Sequence, residues 1–201
     1  PVIFQAGDSE AGRDFAAGDM MAQQMRNFAY LIGDRETREA VVVDPAYAAG
    51  DLLDALAADG MTLSGVLVTH HHPDHVGGSM MGFELKGLAE LLERVSVPVH
   101  VNTHEALWVS RVTGIPMGDL TMHVHGDKVD VGAIEIELLH TPGHTPGSQC
   151  FLLDRRLVAG DTLFLDGCGR TDFPGGNVDD MFRSLQSLAA LPGDPTVFPG
   201  R

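Results

Sequence analysis

An α/β fold is predicted by three observations on this sequence. Short apolar runs rich in β-branched residues, at 40–43 and 65–69, alternate with segments whose apolar residues recur at helical spacing. Ile134, Ile136 and Leu138 alternate as in a strand, and an amphipathic helical pattern follows later, after Asn177. Strands and helices interleave along the chain with no internal repeat or low-complexity linker, the arrangement expected when sheets are covered by helices.

The elements follow in order. Residues 2–5 read as a strand, whereas 6–19 is small, polar and Gly-rich and is expected to be a mobile loop. Residues 28–32 and 40–43 are strands around the hairpin turn Gly33-Asp34-Arg35-Glu36. Residues 51–59 repeat Leu and Ala at helical spacing, and Gly60 stops that helix. The run 65–69 is a buried strand. Residues 84–95 form an amphipathic helix with Leu85, Leu88, Leu91, Leu92 and Val95 on one face. A short strand is expected at 98–101, and Thr103 is a cap for a helix over 104–112. Residues 128–139 alternate as strands do, 150–153 is an apolar strand, and 157–162 is a strand ending in a carboxylate. Asn177 caps a last helix whose apolar stripe is Val178, Met181, Phe182, Leu185 and Leu188.

Composition bounds the function classes. The 201 residues suit one domain, 1–201, with enough chain for a sizeable core, and 44% hydrophobic with 20% charged residues is a globular balance. A net charge of −15 argues against a nucleic-acid surface, and an anionic substrate then needs local positive charge. No run approaches the length of a membrane span and no signal peptide is visible, so no membrane partner is expected. Two cysteines, Cys150 and Cys168, make no disulfide framework, and the expected compartment is a reducing cytoplasm. Assembly into a homo-oligomer stays open.

The densest chemical signal is Thr69-His70-His71-His72-Pro73-Asp74-His75, which reads H-x-H-x-D-H immediately after a buried strand. Ligands on a loop rooted in a strand are held rigidly enough to bind metal. Imidazoles and a carboxylate suit zinc, iron or manganese. A solvated His-rich loop or a purification tag is the bland alternative, but a tag would not carry the Asp at this spacing. His71 alternates away from the ligands and is a neighbour. His100, His104, His123 and His125 lie outside the motif and are read as surface or locally bonded residues, and His140 as a supporting neighbour.

His140-Thr141-Pro142-Gly143-His144-Thr145-Pro146-Gly147-Ser148 places a further histidine in a tight turn, and Gly160-Asp161 closes a later strand. Together and in this order, these segments resemble the metallo-β-lactamase superfamily over nearly the whole chain. The resemblance implies a four-layer αββα sandwich. It also implies that His70, His72 and His144 hold one metal, Asp74 and His75 help hold a second, and Asp161 bridges the two. A metal-activated hydroxide would be the nucleophile, with Asp74 and Asp161 as the catalytic carboxylates. One departure stands out. The family's last ligand is a His after a strand ending in Pro-Gly, but Pro199-Gly200 is followed by Arg201, which stays protonated and has no lone pair to give. Either the natural chain is longer than this sequence, or the site is built for a single metal.

The segment Gly167-Cys168-Gly169-Arg170-Thr171-Asp172-Phe173-Pro174-Gly175-Gly176 resembles glyoxalase II-like hydrolases and persulfide dioxygenases. Arg170 is the substrate-binding candidate there; the simpler reading pairs it with Asp172 in a Gly-rich loop. Residues 30–45 look especially like the dioxygenases, in which His70, His144 and Asp161 would form a facial triad for one iron. The length of 76–126 and the Phe-Pro-Gly-Gly ending point instead to the hydrolase branch. Glyoxalase II proper has a basic helical extension for glutathione that is not seen here, so the expected substrate is a small thiol-derived thioester. The first expectation is a thioester hydrolase using one or two zinc ions. The alternatives are a mononuclear iron persulfide dioxygenase and a family member that binds metal without turnover.

Overall fold

Residues buried on both faces of a strand produce continuous apolar runs, and two such sheets lie back to back in this computed structural model, which describes residues 2–6 and 20–201. The chain runs β1 (Val2–Ala6), α1 (Met20–Met25), β2 (Ala29–Gly33), β3 (Glu39–Val43), α2 (Ala49–Ala58) and β4 (Thr62–Leu67). It continues through α3 (Pro73–Val76), β5 (Gly78–Met80), β6 (Phe83–Leu85), α4 (Leu88–Arg94), β7 (Val99–Asn102) and α5 (Ala106–Thr113). After a 3-10 turn come β8 (Leu120–His123), β9 (Lys128–Val131), β10 (Ile134–His140), β11 (Gln149–Leu153), β12 (Arg156–Gly160), α6 (Val178–Ala189) and β13 (Thr196–Pro199).

Among the described residues the first sheet has the order β1-β2-β3-β4-β7-β8 and the second β13-β12-β11-β10-β9. Strands joined through helices pair in parallel: β3 with β4 across α2, and β4 with β7 across α4. Those joined by short turns pair antiparallel, as β2 does with β3 and β11 with β12. The strand period of two then sorts side chains into separate cores. Tyr30, Ile32, Val41 and Val43 meet Ile136, Leu138, Phe151 and Val158 between the sheets. Leu31 and Val42, one residue out of step, pack with Leu52, Leu56, Leu88, Leu91 and Val109 of α2, α4 and α5. On the far side, Leu139, Cys150, Leu157 and Ala159 pack with Leu188 of α6. The layers are therefore helices, sheet, sheet, helix, as the resemblance implied. No helix among the described residues is long and apolar enough to cross a membrane.

Local expectations need correction in three places. The helix expected over 84–95 begins only at Leu88, and 83–85 is a strand paired with 78–80. Gly87 explains the late start: its backbone lies so close to the Val76 carbonyl that a side chain there would collide, and Leu85 is buried from the strand instead. Thr103 does not cap α5. Asn102 Oδ1 accepts the His104 amide at 2.9 Å in a tight turn that delays the helix to Ala106, while the Thr103 hydroxyl bonds the His123 carbonyl. The 128–139 segment is in strands as expected, β9 and β10, with a turn between them. In α6 the buried face carries Met181, Ser184 and Leu188, leaving Val178 and Phe182 exposed, because Ser184 Oγ bonds the Pro142 carbonyl and Met181 backs Gly143. Asn177 caps that helix as expected, accepting from the amides of Asp179 and Asp180. The loop expected over 6–19 lies outside the described residues from residue 7 onward, with Ala6 ending β1.

Candidate metal centre

The ligand loop leaves the sheet where β4 ends. Val68 N still bonds the His100 carbonyl, and the next residue, Thr69, turns onto Asp44 at the end of β3. Pro73 then opens the single turn α3, which suits proline because its missing N–H has no helical partner there. That turn buries Asp74 and His75 beside His70.

Hydrogen bonds to the remote ring nitrogens fix how the imidazoles face. Thr69 Oγ1 donates to Asp44 Oδ2 at 2.5 Å, so its oxygen is left to accept from His70 Nδ1 at 3.0 Å. His144 Nδ1 donates to the Arg170 carbonyl at 2.7 Å. Both rings therefore turn Nε2 inward. His72 Nδ1 lies 3.1 Å from His70 Nε2 and 3.0 Å from His144 Nε2, so three ring nitrogens converge. Four-coordinate zinc with Zn–N bonds of about 2.0–2.1 Å wants nitrogens roughly 3.3 Å apart, close to this spacing.

A second set of donors adjoins the first. Asp161 follows β12; its Oδ2 lies 3.7 Å from His144 Nε2 and its Oδ1 lies 3.3 Å from His75 Nε2. His75 Nε2 is also 3.8 Å from Asp74 Oδ2, and its Nδ1 donates to Asp44 Oδ2 at 2.8 Å. Both His75 Nε2 and Asp161 Oδ1 are buried with no well-formed hydrogen bond, the condition a metal ion would relieve. Asp44, His70 and His75 also cluster, but the Asp44 oxygens are taken up by Thr69 and His75 Nδ1, so Asp44 is a support for the site. Arg201 Nη2 donates to Asp161 Oδ2 at 2.5 Å, so a fixed cation stands beside this second set.

Electrostatics follow from burial and from these neighbours. Burial, reinforced by the surrounding imidazoles, holds His70 well below its ordinary value and pushes His72 down to about 3. Burial also lowers His144, against the opposing pull of the Arg170 carbonyl. These three rings are neutral donors at neutral pH. Burial opposes the charge on His75, yet Asp161 and Asp74 beside it raise it well above the ordinary range. Burial likewise opposes the charge on Asp161, but His75 and Arg201 hold it below the usual carboxylate range.

All six candidate donors named from the sequence, His70, His72, Asp74, His75, His144 and Asp161, thus lie together at one end of the paired sheets. His71 turns away and stacks on Trp108 at 5.3 Å. His140 Nε2 bonds the Pro146 carbonyl, and His100 and His123 bond each other at 2.9 Å. The Arg170 side chain is exposed, paired with Asp172 through two bonds and lying 4.4 Å over the Phe173 ring. What this residue gives the site directly is its main-chain carbonyl. Phe173 faces the imidazoles, 5.5 Å from His72 and 6.1 Å from His144. Gly169 lets this loop lie flat, since a side chain there would overlap the Asp161 carbonyl and crowd His144.

Sequence reasoning missed the supports of Asp74 and His75. Asp44 accepts from Thr69 N, Thr69 Oγ1 and His75 Nδ1. Asn27 Nδ2 donates to the Asp74 carbonyl and to Asp74 Oδ2 at 2.9 and 2.8 Å. A carboxylate ending the apolar run 40–43 was a signal for Asp44, whereas nothing local marks Asn27.

The family model of the metallo-beta-lactamase superfamily matches residues 24–201. The chain belongs to this superfamily. It is 36% identical to a hydroxyacylglutathione hydrolase of Rhizobium meliloti, over 90% of this chain and 64% of that protein. It is 34% identical to the human mitochondrial persulfide dioxygenase ETHE1, over 86% of this chain and 62% of that one. The chain thus spans less than two thirds of either relative. The crystal structure of ETHE1 from Myxococcus xanthus superposes with a TM-score of 0.77 at 32% identity, covering 100% of this chain and 76% of that one. Members so different in chemistry share the fold, so the reaction has to be argued from the site. The nitrogen and carboxylate donors fit zinc or iron.

Proposed function

We propose that the protein is a metal-dependent hydrolase of thioesters, with His70, His72 and His144 holding a zinc ion and Asp161 reaching it from the second sheet. The observation that carries this reading is the convergence of three ring nitrogens, His70 Nε2, His72 Nδ1 and His144 Nε2. When bound, such an ion lowers the pKa of a water and polarises the scissile carbonyl. The chain's own residues supply the rest. Thr69 and the Arg170 carbonyl fix the tautomers of His70 and His144. Asp74, steadied by Asn27, orients the attacking water and takes its proton, and Asp161 aligns the donors from the opposite side. Phe173 walls the site on the solvent side, and Arg170, on the same loop, attracts an anionic thiol portion against the strongly negative overall charge. The similarity to hydroxyacylglutathione hydrolases supports a small acylated thiol as substrate.

A second reading is a mononuclear iron persulfide dioxygenase using His70, His144 and Asp161. One observation favours it: the Arg201 guanidinium on Asp161 supplies a cation where a second metal would be held. The two readings part at His72. Metal content of protein purified without added metal is measured together with thiol release from a hydroxyacyl thioester and persulfide-dependent O2 uptake. Zinc with thioester cleavage, both lost in His72→Ala, is the expected result. Bound iron with O2 uptake that survives His72→Ala overturns the hydrolase.

A further inference from the structure

The two loops that bring the imidazoles together come from different sheets, and one buried carboxylate spans them. Glu105, at the N-terminus of α5, is 1% exposed. Its Oε1 accepts from His71 N at 2.8 Å and from His71 Nδ1, within the loop that carries His70 and His72. Its Oε2 accepts from Gly147 N at 2.8 Å and Thr145 Oγ1 at 3.1 Å, within the loop that carries His144. Gly147 permits this approach, since a side chain there would sit 2.5 Å from both the Glu105 amide and Oε2. One helical turn further along α5, Trp108 stacks on the same His71 ring. The carboxylate therefore has two donors from each loop, and it is anchored in α5, a helix that contributes no donor to the metal site.

We propose that Glu105 is a positioning residue that sets the separation between His72 and His144, and through it the affinity and geometry of the metal centre. The inference rests on the reading of His70, His72 and His144 as metal ligands. Buried carboxylates bonded to several N–H and O–H groups hold their partners with little freedom, and outer residues that orient ligands commonly affect metal affinity by about 10–100-fold. A carboxylate that served stability alone would lower resistance to urea and leave affinity untouched.

The test compares wild type, Glu105→Gln, Glu105→Asp and His72→Ala, with Leu91→Ala as a core variant of matched instability away from the site. Cobalt(II) is the probe, with Kd from chelator competition and coordination read from the visible absorption band. Glu105→Gln replaces one acceptor oxygen by an N–H donor, so one loop is released. The expected result is a Kd about 10–100-fold weaker with an altered cobalt band, partial recovery in Glu105→Asp, and wild-type values in Leu91→Ala. A wild-type Kd and band in Glu105→Gln overturns the inference, and so does an equal loss in Leu91→Ala. Retention of wild-type affinity in His72→Ala instead overturns the metal assignment itself, which separates the two failures. If Glu105→Gln does not fold, Thr145→Val removes one donor of the same bridge and must weaken cobalt binding for the inference to stand.

Discussion

Lowering the pH of the metal-free protein should expose how far burial has suppressed the charge on the site, and His72 allows the size to be worked out. An ordinary histidine titrates near 6.5, whereas His72 is pushed down to about 3 by burial and then by His144. Between these values the unfolded chain binds a proton that the folded chain does not. Stability therefore rises with pH across this window and falls as pH drops through the unfolded value. From about pH 7 to about pH 5 the loss from His72 alone is about 2 kcal/mol, at roughly 1.4 kcal/mol for each pH unit once below 6.5. His70 and His144, also lowered, add to the loss. His75 works in the opposite sense: its raised value gives stability that is present below 6.5 and is lost as pH rises through the folded value. That opposing contribution is present in wild type and in a His72→Gln variant alike, so their comparison reads chiefly what His72 adds. Urea unfolding after chelator treatment, at both pH values, is the assay. Wild type should lose about 2 kcal/mol more than His72→Gln between the two conditions. An equal loss in the two proteins would refute the claim that His72 is held neutral by its surroundings, and with it the picture of three donors ready for metal below neutral pH.

Further outcomes follow from other contacts. Asp44→Ala removes the acceptor of three buried hydrogen bonds; it should cost about 3–5 kcal/mol in urea unfolding and loosen His75. Arg201→His exchanges a fixed cation beside Asp161 for a donor, so elemental analysis should find a second metal equivalent in the variant and a single one in wild type. Arg170→Ala leaves the main-chain carbonyl on His144 in place. It should keep wild-type metal content and Tm while raising KM, and loss of metal would show that the exposed side chain supports the loop. Phe173→Ala should leave stability within about 1 kcal/mol, because the ring is partly exposed, and should show its effect in KM measured on a thioester series.

Much of the site was legible because metal donors are chemically conspicuous and sit close together in sequence. H-x-H-x-D-H after a β-branched run locates a loop and its candidate ligands without knowledge of the rest of the chain. Periodicity served equally well where burial is two-sided, as in 40–43, and where a cap is local, as at Asn177. It failed where a distant backbone intervened. Leu85 belongs to the apolar set read as one helix face, but the close packing of Gly87 against Val76 turned its segment into a strand. Val178 and Phe182 belong to an apolar stripe, yet the loop carrying Gly143 selected the face with Met181 and Ser184.

By itself the sequence determined the donor chemistry, the alternation of strands and helices, and the order in which the ligand loops arise. Only the tertiary structure decided which groups hold those ligands in place. Asn27 reaches Asp74, Asp44 reaches Thr69 and His75, and Glu105 reaches both ligand loops, each across tens of residues. The physical reason is one of range. Side-chain periodicity and turn chemistry are set by neighbours a few positions away, whereas the hydrogen-bond partners of a buried carboxylate are set by how the sheets and helices pack.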